Sequence, residues 1–163
     1  MPYRNQKKKY SSIIEYFNRL AGKKVVILGV GNRLRGDDGA APCLIDNIQG
    51  KVEALCINAE SSPENYLGKI IKTAPDAVVI VDAIHLGREP GEMEVLDPSE
   101  LERGGISTHH LSLKMLVEFL GSEIETEIRV LGVQPARIHM GDEMSSSVKK
   151  SLKALQEIIT STL

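Results

Sequence analysis

The sequence predicts an α/β fold, with a mostly parallel, twisted sheet of about five strands sandwiched by helices in three layers. The apolar runs 25–28 and 77–81 are continuous rather than alternating, which is typical of strands that are buried on both faces. Segments with helical spacing of apolar residues separate these runs, and such alternation favours parallel pairing of the strands. Residues 92–96 alternate between polar and apolar types instead, which indicates a half-exposed strand at an edge.

Length and composition favour a single α/β domain over residues 1–163. Hydrophobic residues make up 42% of the chain and the net charge is −2, so we expect no general attraction to nucleic acid. No apolar run approaches the ~20 residues that span a bilayer, and no signal-peptide core follows the basic N-terminus. We therefore expect a cytoplasmic protein without a membrane partner, in which Cys43 and Cys56 are reduced core residues. No feature of the sequence specifies the oligomeric state.

Residues 1–22 are predicted to form an N-terminal extension with a short helix. The first nine residues are polar and basic, which is typical of a solvated tail. Ser12 and Glu15 match a capping box, and apolar residues then recur at helical spacing as far as Gly22. We expect this helix to pack against the sheet without taking part in the chemistry.

The first strand leads into a pair of carboxylates. It ends in a glycine-rich turn, Asp37 and Asp38 follow, and a helix is predicted over 40–48. Ligands of open α/β sheets bind at the carboxyl ends of strands, so this pair is a candidate functional site. One aspartate could instead cap the helix, a role that fits Asp37, but a cap needs only one side chain and the other would remain unexplained.

The same glycine turn offers an alternative, a dinucleotide-binding enzyme. Gly29 and Gly31 begin a G-x-G-x-x-G pattern, but Leu34 stands where its last glycine belongs. A pyrophosphate bound at this turn would also meet the negative charges of Asp37 and Asp38. The dinucleotide alternative is therefore disfavoured.

The remaining elements alternate along the chain. Further strands are predicted at 52–57, 77–83, 92–96 and 127–133. Further helices are predicted at 66–72, 111–120 and 148–159.

Polar side chains at the predicted strand ends suggest a metal site. Asp38 follows the first strand, Asp82 ends the third, and His109 and His110 precede the helix at 111. Two carboxylates and one imidazole would suit a divalent transition metal and leave positions open for water or substrate. Each residue has a structural alternative, because Asp82 could form a turn and either histidine could be exposed in the first helical turn. No G-x-S-x-G, H-E-x-x-H or Walker A sequence offers another catalytic scheme.

Several motifs together resemble the hydrogenase maturation endopeptidases. They are, in matching order and spacing, residues 29–39, 63–65, 80–83, 90–92, 107–109 and 131–135. The resemblance extends from about Lys24 to the C-terminus and leaves out residues 1–22. Aspartate rather than glutamate at position 38 is similar to the branch that matures hydrogenases of the formate-hydrogenlyase type.

The resemblance implies an endopeptidase that removes the C-terminal extension of the nickel–iron hydrogenase large-subunit precursor after nickel insertion. It implies that Asp38, Asp82 and His109 are the catalytic and metal-contacting residues, and that the substrate supplies the nickel. His110 falls on a position that the family does not reserve for histidine. A non-catalytic nickel-binding chaperone of hydrogenase assembly, with the same site, remains an open alternative.

Overall fold

The computed structural model describes residues 2–102, 106–107 and 110–163, and within them the side chains outside 2–5, 102, 106–107 and 110–112. The α-helices are α1 (Pro2–Lys9), α2 (Ser11–Leu20), α3 (Ala40–Ile48), α4 (Leu67–Thr73), α5 (His110–Glu123) and α6 (Ser146–Thr162). The strands are β1 (Val25–Val30), β2 (Leu55–Glu60), β3 (Ala77–His85), β4 (Met93–Leu96), β5 (Ile106–Ser107) and β6 (Glu127–Val133). Short 3-10 helices cover Gly36–Gly39, Pro63–Tyr66 and Pro98–Glu102.

The main sheet has the strand order β2-β1-β3-β6-β4. The pairs β1–β2, β1–β3 and β3–β6 are parallel, whereas β4 runs antiparallel to β6 at one edge. The two-residue strand β5 pairs antiparallel with the end of β3, off the main path. The predicted α/β class, the mostly parallel sheet and the edge strand near residues 92–96 are confirmed.

Two apolar clusters fill the space on either side of the sheet. One lies between the sheet and helices α2, α3 and α6, and the other between the sheet and helices α4 and α5. Successive residues of β3 alternate between them, with Val79 in the first cluster and Ile80 in the second. Because the central strands are buried on both faces, their sequences are apolar without interruption.

The second strand begins later than its sequence predicts. β2 covers Leu55–Glu60 rather than residues 52–57, and the preceding residues 51–54 form bends. Val52 and Ala54 are partly buried and pack against the first apolar cluster from this bent segment. Their apolar character therefore reflects contact with the core and not membership of the strand.

The N-terminal residues form two helices rather than a tail and one helix. The capping box predicted at Ser12 and Glu15 is wrong, because α2 begins at Ser11 without a side-chain cap. The chain enters α2 directly from α1, and the Ile14 amide donates to the Tyr10 carbonyl at 2.9 Å. Among the described residues, no helix is long and apolar enough to cross a membrane.

Candidate functional site

The segment directly after β1 packs tightly against the Gly36–Gly39 turn, which carries Asp38. A Cβ atom on Gly31 would lie 1.9 Å from the Asp38 carbonyl oxygen, so the backbones approach too closely for any side chain here. The amide of Asn32 donates to Asp38 Oδ2 at 3.1 Å. Asp38 is fully buried. The glycine-rich turn thus positions one carboxylate oxygen of Asp38 against the backbone of its own loop.

Asp37 does not cap the helix that follows it, so the predicted capping role is wrong. The N-cap position of α3 is Gly39, and no side chain caps that helix. Asp37 Oδ2 instead accepts hydrogen bonds from the amides of Ala136 and Arg137, at 2.7 and 3.2 Å, and from the Ser145 hydroxyl at 2.9 Å. Its Oδ1 accepts from the Ser145 amide at 2.7 Å. The carboxylate therefore lies at the N-terminus of α6, where the helix dipole favours negative charge.

Backbone contacts reinforce this link between the loop after β1 and the loop after β6. The Asp37 amide donates to the Arg137 carbonyl at 2.9 Å, and the Gly36 amide donates to the Asp142 carbonyl at 3.1 Å. Gly36 has a φ of +54°, and a Cβ there would lie 2.6 Å from the Arg137 carbonyl oxygen. Glycine is required at this position both by its backbone conformation and by the close approach of the second loop.

Asp82 is fully buried near the carboxyl end of β3. Its register partner on β6 is Gly132, and β3 also contacts the Gly36–Gly39 turn that carries Asp38. Side chains alternate along a strand, so that of Asp82 lies on the same face as Ile80 and Ile84, which belong to the cluster under α4 and α5. Ile84 pairs with Ser107 of β5, the residue from which the chain continues toward α5.

The histidines of the predicted site cannot be placed with the two aspartates. His109 lies outside the described residues, and so does the side chain of His110, at which α5 begins. The assignment of Asp38, Asp82 and His109 to one site stays a prediction. Among the residues that the structure does describe, no group of three histidine, cysteine or acidic side chains could hold a metal ion. Two carboxylates and one imidazole are nevertheless compatible with nickel, although they do not select it.

Gln134 is a buried residue of this rim to which the sequence reasoning assigned no role. It follows β6, and its Oε1 accepts from the amides of Leu86 at 2.6 Å and Arg88 at 3.4 Å. Its backbone amide donates to the Glu92 carbonyl, and its carbonyl accepts from the Gly91 amide, both at 2.8 Å. Gln134 thereby fixes the segment between β3 and β4 beside the end of β3. The available signal was a polar residue directly after an apolar strand.

The two cysteines differ in burial and lie apart from these loops. Cys43 is partly buried on α3, whereas Cys56 is buried on β2, and both are free thiols. Burial raises the pKa of the Cys56 thiol to about 11, so this side chain is protonated at neutral pH. A protonated thiol is neither a nucleophile nor a metal ligand.

A family model and a relative of known function both match this sequence, and both are hydrogenase maturation proteases. A family model described as HycI, hydrogenase maturation protease, matches residues 44–162, a span that begins after Asp38 and includes Asp82 and His109. The hydrogenase 3 maturation protease of Escherichia coli is 33% identical over 135 residues, which cover 81% of this chain and 86% of that protein.

Solved structures show the same fold. The crystal structure of a NiFe hydrogenase maturation protease, HycI from Thermococcus kodakarensis, matches with a TM-score of 0.81 and 34% identity over 91% of this chain and 98% of that one. The solution structure of the endopeptidase HycI from Escherichia coli matches with a TM-score of 0.73 and 29% identity over 83% of this chain and 89% of that one. The α/β sandwich is thus shared with proteins of similar sequence.

Proposed function

The chain belongs to the hydrogenase maturation protease family, and from this membership we propose that it is the endopeptidase that removes the C-terminal extension of a nickel–iron hydrogenase large-subunit precursor after nickel insertion. The family makes the protein a peptidase. We further propose that the cut follows nickel insertion and that Asp38, Asp82 and His109 perform it.

One observation supports the site assignment above all others. Asp38 is fully buried in the turn that follows β1, and Asp82 is fully buried near the end of β3. These two strands are adjacent and parallel, and open α/β sheets bind ligands at the carboxyl ends of such strands. The position of the two carboxylates therefore favours a role in binding or catalysis.

In the proposed site, Asp38, Asp82 and His109 contribute two carboxylates and an imidazole to nickel that arrives with the precursor. The Asn32 amide restrains Asp38, and the pairing of β3 with its neighbours restrains Asp82, so both carboxylates are positioned before the substrate binds. Bound nickel would supply Lewis-acid polarisation. A carboxylate of the site can accept the proton of an attacking water.

The family membership favours this proposal over both alternatives from the sequence. A nickel-binding chaperone would leave the mass of the precursor unchanged, whereas a peptidase shortens it. A dinucleotide-binding enzyme would need an anion beside Asp37 and Asp38, which occupy the turn after β1. We propose the precursor as the macromolecular partner, with no membrane or nucleic acid involved, and the cytoplasm as the location.

The test is a cleavage assay followed by mass spectrometry of the large subunit. Precursor is purified with and without nickel, and the protein is stripped with a chelator before both reactions. We expect the protein to be largely metal-free as purified, even before the chelator is added, since three side chains without a thiolate form a weak nickel site. It should shorten nickel-loaded precursor without added metal and leave nickel-free precursor intact.

Two results would contradict the proposal in different ways. An unchanged precursor mass in both reactions would show that this protein is not the processing endopeptidase of that precursor. Equal cleavage of the two precursors would leave the endopeptidase in place but show that Asp38, Asp82 and His109 do not detect nickel.

A further inference from the structure

Two loops at the carboxyl rim of the sheet expose large apolar side chains. We call residues 32–35 and 136–142 the rim platform. Leu34 is 66% exposed on the first loop and Met140 is 68% exposed on the second. A single exposed apolar residue is ordinary on a protein surface. Two of them on loops that contact each other beside buried carboxylates form a patch that a binding partner could cover.

Hydrogen bonds hold the two loops of the rim platform together. The Gly141 amide donates to the Leu34 carbonyl at 2.8 Å, and Arg35 Nε donates to the Ile138 carbonyl at 3.1 Å. Asn32 Oδ1 accepts from the Leu34 amide at 2.9 Å, which closes a turn under the exposed leucine. Because this backbone is already ordered, it loses little conformational entropy when a partner binds, and only the side chains have to be immobilised.

The charge of the rim platform differs in sign from that of the whole chain. It carries three arginines and one aspartate, a formal charge of +2, whereas the chain has a net charge of −2. Arg33 is paired with Asp46 outside the platform, with 2.6 Å between Nη2 and Oδ2, and the positive sign remains when Asp46 is counted. Arg137 is exposed, and its Nε donates to the Glu143 carbonyl at 2.9 Å. A complementary partner would present an apolar depression edged by carboxylates.

The rim platform also lies directly over one of the proposed site residues. Asn32 belongs to the platform, and its amide contacts the buried Asp38 carboxylate. A protein that brings a peptide bond to Asp38 comes close to this loop, because the two are joined by a hydrogen bond. We therefore take the molecule that reaches the site as the partner of the platform.

We propose that the rim platform is the docking surface for the folded body of the precursor, whose acidic-edged apolar depression receives Leu34 and Met140. This inference rests on the proposed function, because it takes the precursor as the substrate. It adds a binding surface to that function and assigns no chemical step to either side chain.

The test measures precursor binding and cleavage separately. The double variant Leu34→Ser with Met140→Ser is compared with the wild type and with Met115→Ser, whose side chain is equally exposed at 68% but lies on α5. The dissociation constant is measured by biolayer interferometry on immobilised nickel-loaded precursor, and kcat and KM are measured from mass spectra. Thermal melting confirms that each variant is folded.

Burial of a leucine or methionine side chain corresponds to roughly a tenfold change in affinity or more. We expect the double variant to raise the dissociation constant and KM at least tenfold with kcat unchanged, and Met115→Ser to leave all three unchanged. If the wild type binds but does not cleave, the proposed function fails while the dissociation constants still test the surface.

Three results would overturn the inference. An unchanged dissociation constant in the double variant would show that the rim platform does not contact the precursor. An equal loss in Met115→Ser would show a general effect of surface polarity. If sedimentation shows that the wild type self-associates and the double variant does not, with precursor affinity unaltered, the platform serves a second copy of this chain.

Discussion

Replacing Asp37 by alanine would remove a buried carboxylate that accepts four hydrogen bonds, from the amides of Ala136, Arg137 and Ser145 and from the Ser145 hydroxyl. The donors of Ser145 are buried, and leaving such groups unsatisfied costs about 1–3 kcal/mol each. Ala136 and Arg137 are exposed residues, so water can replace the carboxylate at their amides at little cost. The expected loss in the free energy of unfolding is about 2–6 kcal/mol, above the ~1 kcal/mol of a lost helix cap.

The same contacts predict a smaller loss for Asp37→Asn. The amide side chain keeps one oxygen acceptor but turns an NH₂ group toward a donor of Ser145. We expect a loss of about 1–3 kcal/mol, smaller than that of the alanine variant, because one Ser145 donor rather than two loses its acceptor. The matched control is Asp76→Ala, because Asp76 also accepts a backbone hydrogen bond, from the Lys24 amide at 2.8 Å, but on an exposed residue.

Urea unfolding followed by circular dichroism measures these differences, provided that the m-value is unchanged among the variants. A typical domain has only about 5–15 kcal/mol of stability, so the alanine variant should unfold at a markedly lower urea concentration. If Asp37→Ala costs no more stability than Asp76→Ala, the four hydrogen bonds to Asp37 do not stabilise the fold.

Further predictions concern the proposed site and the two thiols. Asp38→Asn should remain folded, since an amide oxygen can still accept from the loop backbone, and should not process the precursor; full processing would exclude Asp38 from the site. In the same assay His109→Ala should be inactive and His110→Ala active. The reverse result would show that His110, and not His109, supplies the imidazole. At pH 8 a thiol reagent should label Cys43 and spare Cys56, as mass spectrometry can show. Folded Cys56 keeps its proton up to a pKa of about 11, whereas an unfolded thiol loses it near 8.5, so its contribution to stability should fall as the pH rises between these values.

Much of the fold could be predicted because it depends on local pattern. The strand at 127–133 and the edge strand near 92–96 were predicted within a residue, since burial on two faces and on one face leave different periodicities. The start of β2 was misplaced because Val52 is apolar for a tertiary reason that periodicity cannot distinguish from strand pairing.

The roles of single polar residues were harder to predict. Asp37 was expected to cap the neighbouring helix, but its partner Ser145 is 108 positions away in the chain. Gln134 similarly accepts from an amide 48 positions before it. A cap is a local interaction that spacing can suggest, whereas these partners meet only because parallel strands bring their carboxyl ends to one rim.

The hydrogen bonds between Asp37 and Ser145 also bear on the order in which parts of the protein fold during its synthesis. The acidic turn leaves the ribosome long before the segment at 136–145 that immobilises it, and this contact has a sequence separation of about a hundred residues. Non-local contacts of this kind form late in folding, because the intervening chain must first be closed into a loop. A nascent chain that already contains β1, β2 and β3 therefore still lacks a fixed acidic turn. We therefore expect the turn to reach its final rigidity only when residues 136–145 dock, so that an incomplete chain exposes no finished site to its substrate.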